Sequence, residues 1–168
     1  MRVAGAVRLF PIPVMREKSV QVRRATMSDL EVVFEIAREF EIARESATST
    51  SFTLSRPEFE RSFREVVVMD GGVVLVVEEE GEVLGYCLAF DHAAFYANGR
   101  VSWVEEIAVR ADKRGNGLGR RLMEAVEAWA RSRESKLIAL ATRRASGFYK
   151  ALDYDESAVY LRKILARA

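Results

Sequence analysis

VSWVEEIAVRADKRGNGLGRRLMEAVEAWA (residues 101–130) joins an apolar, β-rich run to a helical one through three alternating glycines, Gly115, Gly117 and Gly119. The apolar period changes across them. Leu118, Leu122, Val126 and Trp129 repeat at 3.6-residue spacing, so the stretch reads as strand, loop and a helix ending near Ser132. Each glycine weakens a helix by roughly 0.5–1 kcal/mol relative to alanine, so regularity of the chain is not what selects them. A helix N-terminus carries unpaired N–H groups and the positive end of the helix dipole. Without Cβ atoms in the way, an anion can approach those groups. Arg110, Lys113, Arg114, Arg120 and Arg121 surround the turn against one acid, Asp112, and a phosphate or pyrophosphate is the ligand this suits.

Working outward, VQVRRA (20–25) alternates as a first strand, and Thr26 followed by Asp29 forms a capping box with Asp in the Glu/Gln role. Leu30, Val33, Phe34, Ala37 and Phe40 then place a helix over about 29–45, followed by a polar loop at 46–55. Ser55, Pro57 and Glu58 open a second helix, Ser55 capping and Glu58 reaching back, with Phe59, Phe63 and Val66 as its buried face. Strands follow at 73–79, 82–90 and 100–109, the first two joined by a Glu80-Gly81 turn, with 91–99 as a longer connection before the third. After the glycine loop and its helix come a buried strand at 137–142, a short helix at 145–152 and a last strand at 158–165. The order β-α-α-β-β-β-α-β-α-β describes a mixed, mostly antiparallel α/β sheet with one β-α-β crossover.

With 168 residues, 49% apolar and 30% charged, the chain fits one domain over 19–168 behind a flexible N-terminal extension at 1–18. The extension is broken by Arg8 and two prolines, lacks a clean cleavage site, and fits a start at Met15 better than a secretion signal. No apolar stretch approaches the ~20 residues of a membrane span, so no membrane partner is expected. Lys plus Arg (26) and Asp plus Glu (25) nearly cancel, which argues against nucleic acid as partner. One cysteine excludes an internal disulfide framework and a cysteine-rich zinc site; no metal is expected, and a reducing cytoplasm is the simplest location.

The loop is neither of the common phosphate motifs. A Walker loop needs a lysine and a hydroxyl after its last glycine, and a dinucleotide fold needs G-x-G-x-x-G. Instead Arg114-Gly115-Asn116-Gly117-Leu118-Gly119 resembles the R/Q-x-x-G-x-G/A loop of the GNAT superfamily of N-acetyltransferases. EEIAV (105–109) resembles that family's central strand, and LATRRASGFYKALDY (140–154) its later strand and tyrosine-bearing helix, so the likeness runs from about 20 to 165. One departure is Leu152-Asp153-Tyr154 where such proteins commonly read Leu-Gly-Phe; Asp153 can take the left-handed turn conformation.

The resemblance implies acetyl-CoA as cosubstrate. Its pyrophosphate would rest on the amides of Arg114, Gly115, Asn116, Gly117, Leu118, Gly119 and Arg120, and its pantetheine arm along Ile107, Ala108 and Val109. The family's strand is splayed by a bulge, and the doubled Glu105-Glu106 interrupts the alternation at that point. An N–H near Ile107 would face the thioester oxygen; losing one such donor typically costs ~2.7–4 kcal/mol of barrier. Glu105 maps to the base, with Glu106 its alternative by one residue of register, and Tyr149 to the hydroxyl that protonates the departing thiolate.

Cys87, in an apolar strand, reads as a buried small hydrophobe rather than a nucleophile. His92 with Asp91, Phe95 and Tyr96 would line an acceptor pocket or stand as an exposed loop, and Trp103 and Trp129 read as core. Glu35, Glu39, Glu41 and Glu45 fit a cationic acceptor or a solvated helix face. The expected reaction is acetyl transfer to a primary amine of unnamed identity, with room for a homodimer. A non-catalytic acyl-CoA-binding regulatory module is the alternative, and an RNA-binding use of KRGNGLGRR (113–121) a weaker third.

Overall fold

The computed structural model describes residues 19–45, 53–163 and 165. Five strands form one sheet in chain order: β1 (Val20–Arg24), β2 (Gly72–Glu79), β3 (Glu82–Ala94), β4 (Gly99–Val109) and β5 (Ser135–Leu140). The first four pair antiparallel, and β5 lies parallel to β4 through a helical crossover. Helices α1 (Leu30–Glu45) and α2 (Arg56–Val68) cover one face with Leu30, Val33, Ile36, Phe63 and Val66. Helix α3 (Leu118–Ser132) covers the other with Leu122, Met123, Val126 and Trp129, alongside Tyr149 from the short α4 (Ser146–Lys150). This is the mixed, mostly antiparallel sheet expected.

Local chemistry explains the element starts. The Thr26 N–H donates to the Asp29 carboxylate at 2.7 Å, as the capping box requires. Glu80 and Gly81 both take positive φ (53° and 85°), the twist that a two-residue hairpin demands. Asp153 adopts φ 64°, left-handed as anticipated. At α2 the expectation fails in detail: Ser55 stands at the N-cap position but its side chain makes no capping bond, and Glu58 accepts from Arg61 instead.

Three further differences concern the later strands. Residues 91–99 are not a loose connection: β3 runs on to Ala94, a single helical turn follows at Phe95–Ala97, and Asn98 (φ 49°) returns the chain into β4. Buried Asp91 holds this extension by accepting hydrogen bonds from Arg100 and Arg133. Strand β5 is less buried than its composition suggests, with Leu137 40% exposed, because it is the edge of the sheet. The last strand expected at 158–165 does not form among the described residues. Residues 155–163 are irregular and exposed, with Val159 and Leu161 in solvent: strand propensity makes no strand without a ladder to join. The N-terminal extension expected at 1–18 lies outside the described residues.

Candidate active site

The doubled glutamates mark a break in the β3–β4 ladder. Leu88 faces Glu106 and Ala89 faces Val104, so Glu105 is the extra residue of a β-bulge. Side chains on either side fix where the two acids point. Val104 and Ile107 pack in the core under α3, whereas Ala108 packs in the core under α1 and α2. Counting inward from both ends, Glu105 and Glu106 fall on the same face, that of α1 and α2. Glu105 is exposed and Glu106 half-buried. The Tyr86 hydroxyl, buried on β3, donates to Glu106 Oε2 at 2.7 Å.

On its other side β4 has an open edge. Its pairing with β5 ends at Val104–Leu140, leaving Glu105 to Val109 beyond the reach of β5. The Arg110 N–H donates to the Leu84 carbonyl at 2.9 Å, so by antiparallel alternation the backbone groups of Ala108 and Glu106 also face β3. Gly85 agrees: a Cβ there would meet the Ala108 carbonyl oxygen at 2.7 Å. Ile107 and Val109 therefore turn their N–H and C=O groups toward the opening. Of the three strand residues expected beside a pantetheine arm, these two offer backbone partners and Ala108 does not. The Val109 carbonyl accepts from Arg114 Nε at 3.0 Å, which ties the glycine loop to the open edge.

Gly115 and Gly117 adopt φ 82° and 78°, and nothing lies within 4 Å of where their Cβ atoms would be. Backbone conformation selects glycine here, and the space beside the turn is clear. Gly117 is the N-cap of α3, so the N–H groups of Leu118, Gly119 and Arg120 emerge without helical partners. Gly119 has a different cause from the anion clearance expected: its Cβ would come within 3.3 Å of Phe148, so it serves close packing against α4. Among the basic neighbours, Arg110 pairs with Glu82 and Asp112, and Arg120 donates to the Ala151 carbonyl. Asn116 donates to the Lys113 carbonyl, closing the turn.

Tyr149 is buried on the α3 side, its ring 5.0 Å from that of Phe148 and 5.9 Å from that of Tyr154. Burial raises its hydroxyl above the ordinary tyrosine value, with the neighbouring Cys87 thiol adding to the effect, so at neutral pH it keeps its proton. Cys87, opposite Ile107 on β3, is fully buried, and desolvation first and the Glu106 charge second push its thiol up to about 12. Such a thiol stays protonated and out of reach, as a buried small hydrophobe does. The site thus has carboxylates on one face of β4, a protonated phenol on the other, and two free-facing amides on the edge between.

The acceptor pocket expected from Asp91, His92, Phe95 and Tyr96 is not assembled. Asp91 is buried under two arginines, while His92, Phe95 and Tyr96 face solvent at the hairpin tip. Trp129 is core, but Trp103 is only half-buried. Glu39 is engaged, accepting the Ala111 N–H at 2.6 Å, and Glu35 pairs with Arg38; the side chains of Glu41 and Glu45 lie outside the described residues. The Tyr86 contact with Glu106 was missed from sequence, because a diagonal pair on adjacent strands needs the ladder register to be seen. Among the described residues no group of three or more His, Cys, Asp or Glu could hold a metal, and no helix is long and apolar enough to cross a membrane.

Fold and turn together define a class: a mixed α/β sheet opened between its two parallel strands, with a glycine-rich helix start at the opening. Within it, the chain belongs to the acetyltransferase (GNAT) family, whose model matches residues 33–154. No curated protein sequence matches it. Among solved structures, glucosamine-6-phosphate N-acetyltransferase from Arabidopsis thaliana is 20% identical, with 89% of this chain and 100% of that chain covered at a TM-score of 0.70. A predicted acetyltransferase with acetyl-CoA from Clostridium acetobutylicum is 19% identical, covering 88% and 97% at 0.72. A transcriptional regulator from Bacillus halodurans is 21% identical, covering 88% and 100% at 0.75. At these identities the likeness is one of fold.

Proposed function

We propose that the protein transfers an acetyl group from acetyl-CoA to a primary amine by direct attack in a ternary complex. The observation that carries this reading is the open edge of β4, where Ile107 and Val109 present their amides beside the glycine-rich start of α3. The residues fit acetyl-CoA. Clear space at Gly115 and Gly117 and the unpaired N–H groups of Leu118 to Arg120 suit its pyrophosphate. The edge groups of Ile107 and Val109 suit its pantetheine arm as an added strand.

In this reading the Glu105–Glu106 pair takes a proton as the amine nitrogen bonds to the thioester carbon. A lysine-like ammonium titrates near ~10.4, so it needs such help more than an α-ammonium near ~7.7–8. The Ile107 N–H holds the developing oxyanion. As the carbon–sulfur bond breaks, the Tyr149 hydroxyl gives its proton to the leaving thiolate, and the products are an N-acetyl amine and free CoA.

Thiol release with saturating acetyl-CoA and a panel of polyamines, amino acids, aminoglycosides and peptide N-termini tests this. One amine class should turn over, and Tyr149→Phe should lower kcat by about 100-fold, the lower end of acid–base contributions. Acetyl-CoA at 100 times its Kd should stabilise the unaltered protein by ~2.7 kcal/mol. No stabilisation by acetyl-CoA contradicts the reading. Stabilisation without thiol release from any amine makes the chain an acyl-CoA-binding module instead.

A further inference from the structure

We infer that Tyr86 is the positioning residue of the active site, and that it makes Glu106, rather than the exposed Glu105, the carboxylate that takes the proton from the amine. This rests on the acetyl-transfer reading and names which member of its acidic pair acts.

The bulge turns both glutamates to the α1–α2 face but leaves them in unequal surroundings. Glu105 is the extra residue of the bulge and lies in solvent. Glu106 is half-buried and directly opposite Leu88. Tyr86 faces Ala108 on the same ladder, so Tyr86 and Glu106 are diagonal neighbours, within reach of each other on one face of the sheet. The phenol ring is almost fully buried among Val33, Ile36 and the other side chains under α1, which leaves its hydroxyl little freedom to move. That hydroxyl donates to Glu106 Oε2 at 2.7 Å. One carboxylate oxygen is thereby pinned, and Oε1 is directed to a fixed place beside the bulge.

A proton acceptor works best when its lone pair is already aimed at the proton it takes, since ordering it during the reaction adds to the barrier. Tyr86 supplies that order from the interior, two residues along the ladder from the bulge. In this arrangement its hydroxyl bears on the reaction through Glu106.

A double-mutant cycle on kcat tests the proposal, once an amine that turns over has been found. Tyr86→Phe keeps the buried ring and removes only the hydroxyl. It should lower kcat about tenfold, the effect of one charge-assisted hydrogen bond, while KM for acetyl-CoA stays unchanged. Glu106→Gln should lower kcat by about 100-fold or more, and further than Glu105→Gln does. In Tyr86→Phe/Glu106→Gln the losses should not add, because the tyrosine acts only through the carboxylate. Crystal structures give a readout independent of turnover: Glu106 should hold one rotamer in the unaltered protein and lose it in Tyr86→Phe. Additive losses, full kcat in Glu106→Gln, or an unmoved Glu106 in Tyr86→Phe overturn the proposal and leave acetyl transfer standing. No thiol release by the unaltered protein with any amine overturns both.

Discussion

Cys87 sits at the centre of β3 without exposed surface, and it shows how little a residue type says before its surroundings are known. Burial and the nearby Glu106 charge push its thiol up to about 12. At pH 8 the thiol is then almost wholly protonated. An aromatic disulfide reagent should leave the native protein untouched for hours and react with one thiol per chain once denaturant is added. Stoichiometric reaction within minutes in buffer would show that β3 opens readily or that the thiol is activated. Because this is the chain's one cysteine, the result is unambiguous, and an inert thiol also leaves free CoA as the only signal in a thiol-release assay. Its burial was legible from the apolar company in VLGYCLAF (83–90). The tie between Tyr86 and Glu106 was not, since nothing local in sequence joins residues 20 positions apart.

Elements are held to one another by few but well-placed polar ties. Arg23 on β1 reaches Asp29 with two hydrogen bonds of 2.8 Å and Glu78 on β2 with another of 2.8 Å, while Asp29 also caps the turn that starts α1. The Arg23 guanidinium therefore holds the Asp29 carboxyl below the usual carboxylate range, Thr26 adding to the effect. A carboxyl lowered on folding adds stability above its unfolded value, near ~3.9, and that stability is lost as pH falls through the lower folded value. Calorimetry should show Tm falling below about pH 5, and Asp29→Asn should lower Tm at pH 7 while weakening its acid dependence. Identical acid dependence in both proteins would remove Asp29 from the account. The capping role could be read from Thr26 and Asp29 alone; the reach of Arg23 across two strands could not. The bulge that the family resemblance implied falls where the doubled Glu105-Glu106 interrupts the alternation.

Across the whole molecule, sequence and structure part company where long-range pairing decides the outcome. The glycine loop, the helix after it and the central strands could be read because their patterns are local. The hairpin at 91–99 looked like a loop since its polar residues are turn formers, yet Asp91 is buried by Arg100 from β4 and Arg133 from beyond α3. Conversely, 158–165 has the composition of a strand, and no strand forms over its described residues. The same limit applies to the amine: no one segment names it.

What the fold does define is the edge where β4 outruns β5, flanked by acids on one face and a phenol on the other. Amide hydrogen exchange, resolved by residue and recorded with and without acetyl-CoA, tests that edge most directly. Exchange should slow at Ile107 and Val109 and at Leu118 to Arg120, and stay unchanged at Ala108, whose N–H is already paired with β3. Unaltered exchange at Ile107, Val109 and the start of α3 with acetyl-CoA bound would contradict the account.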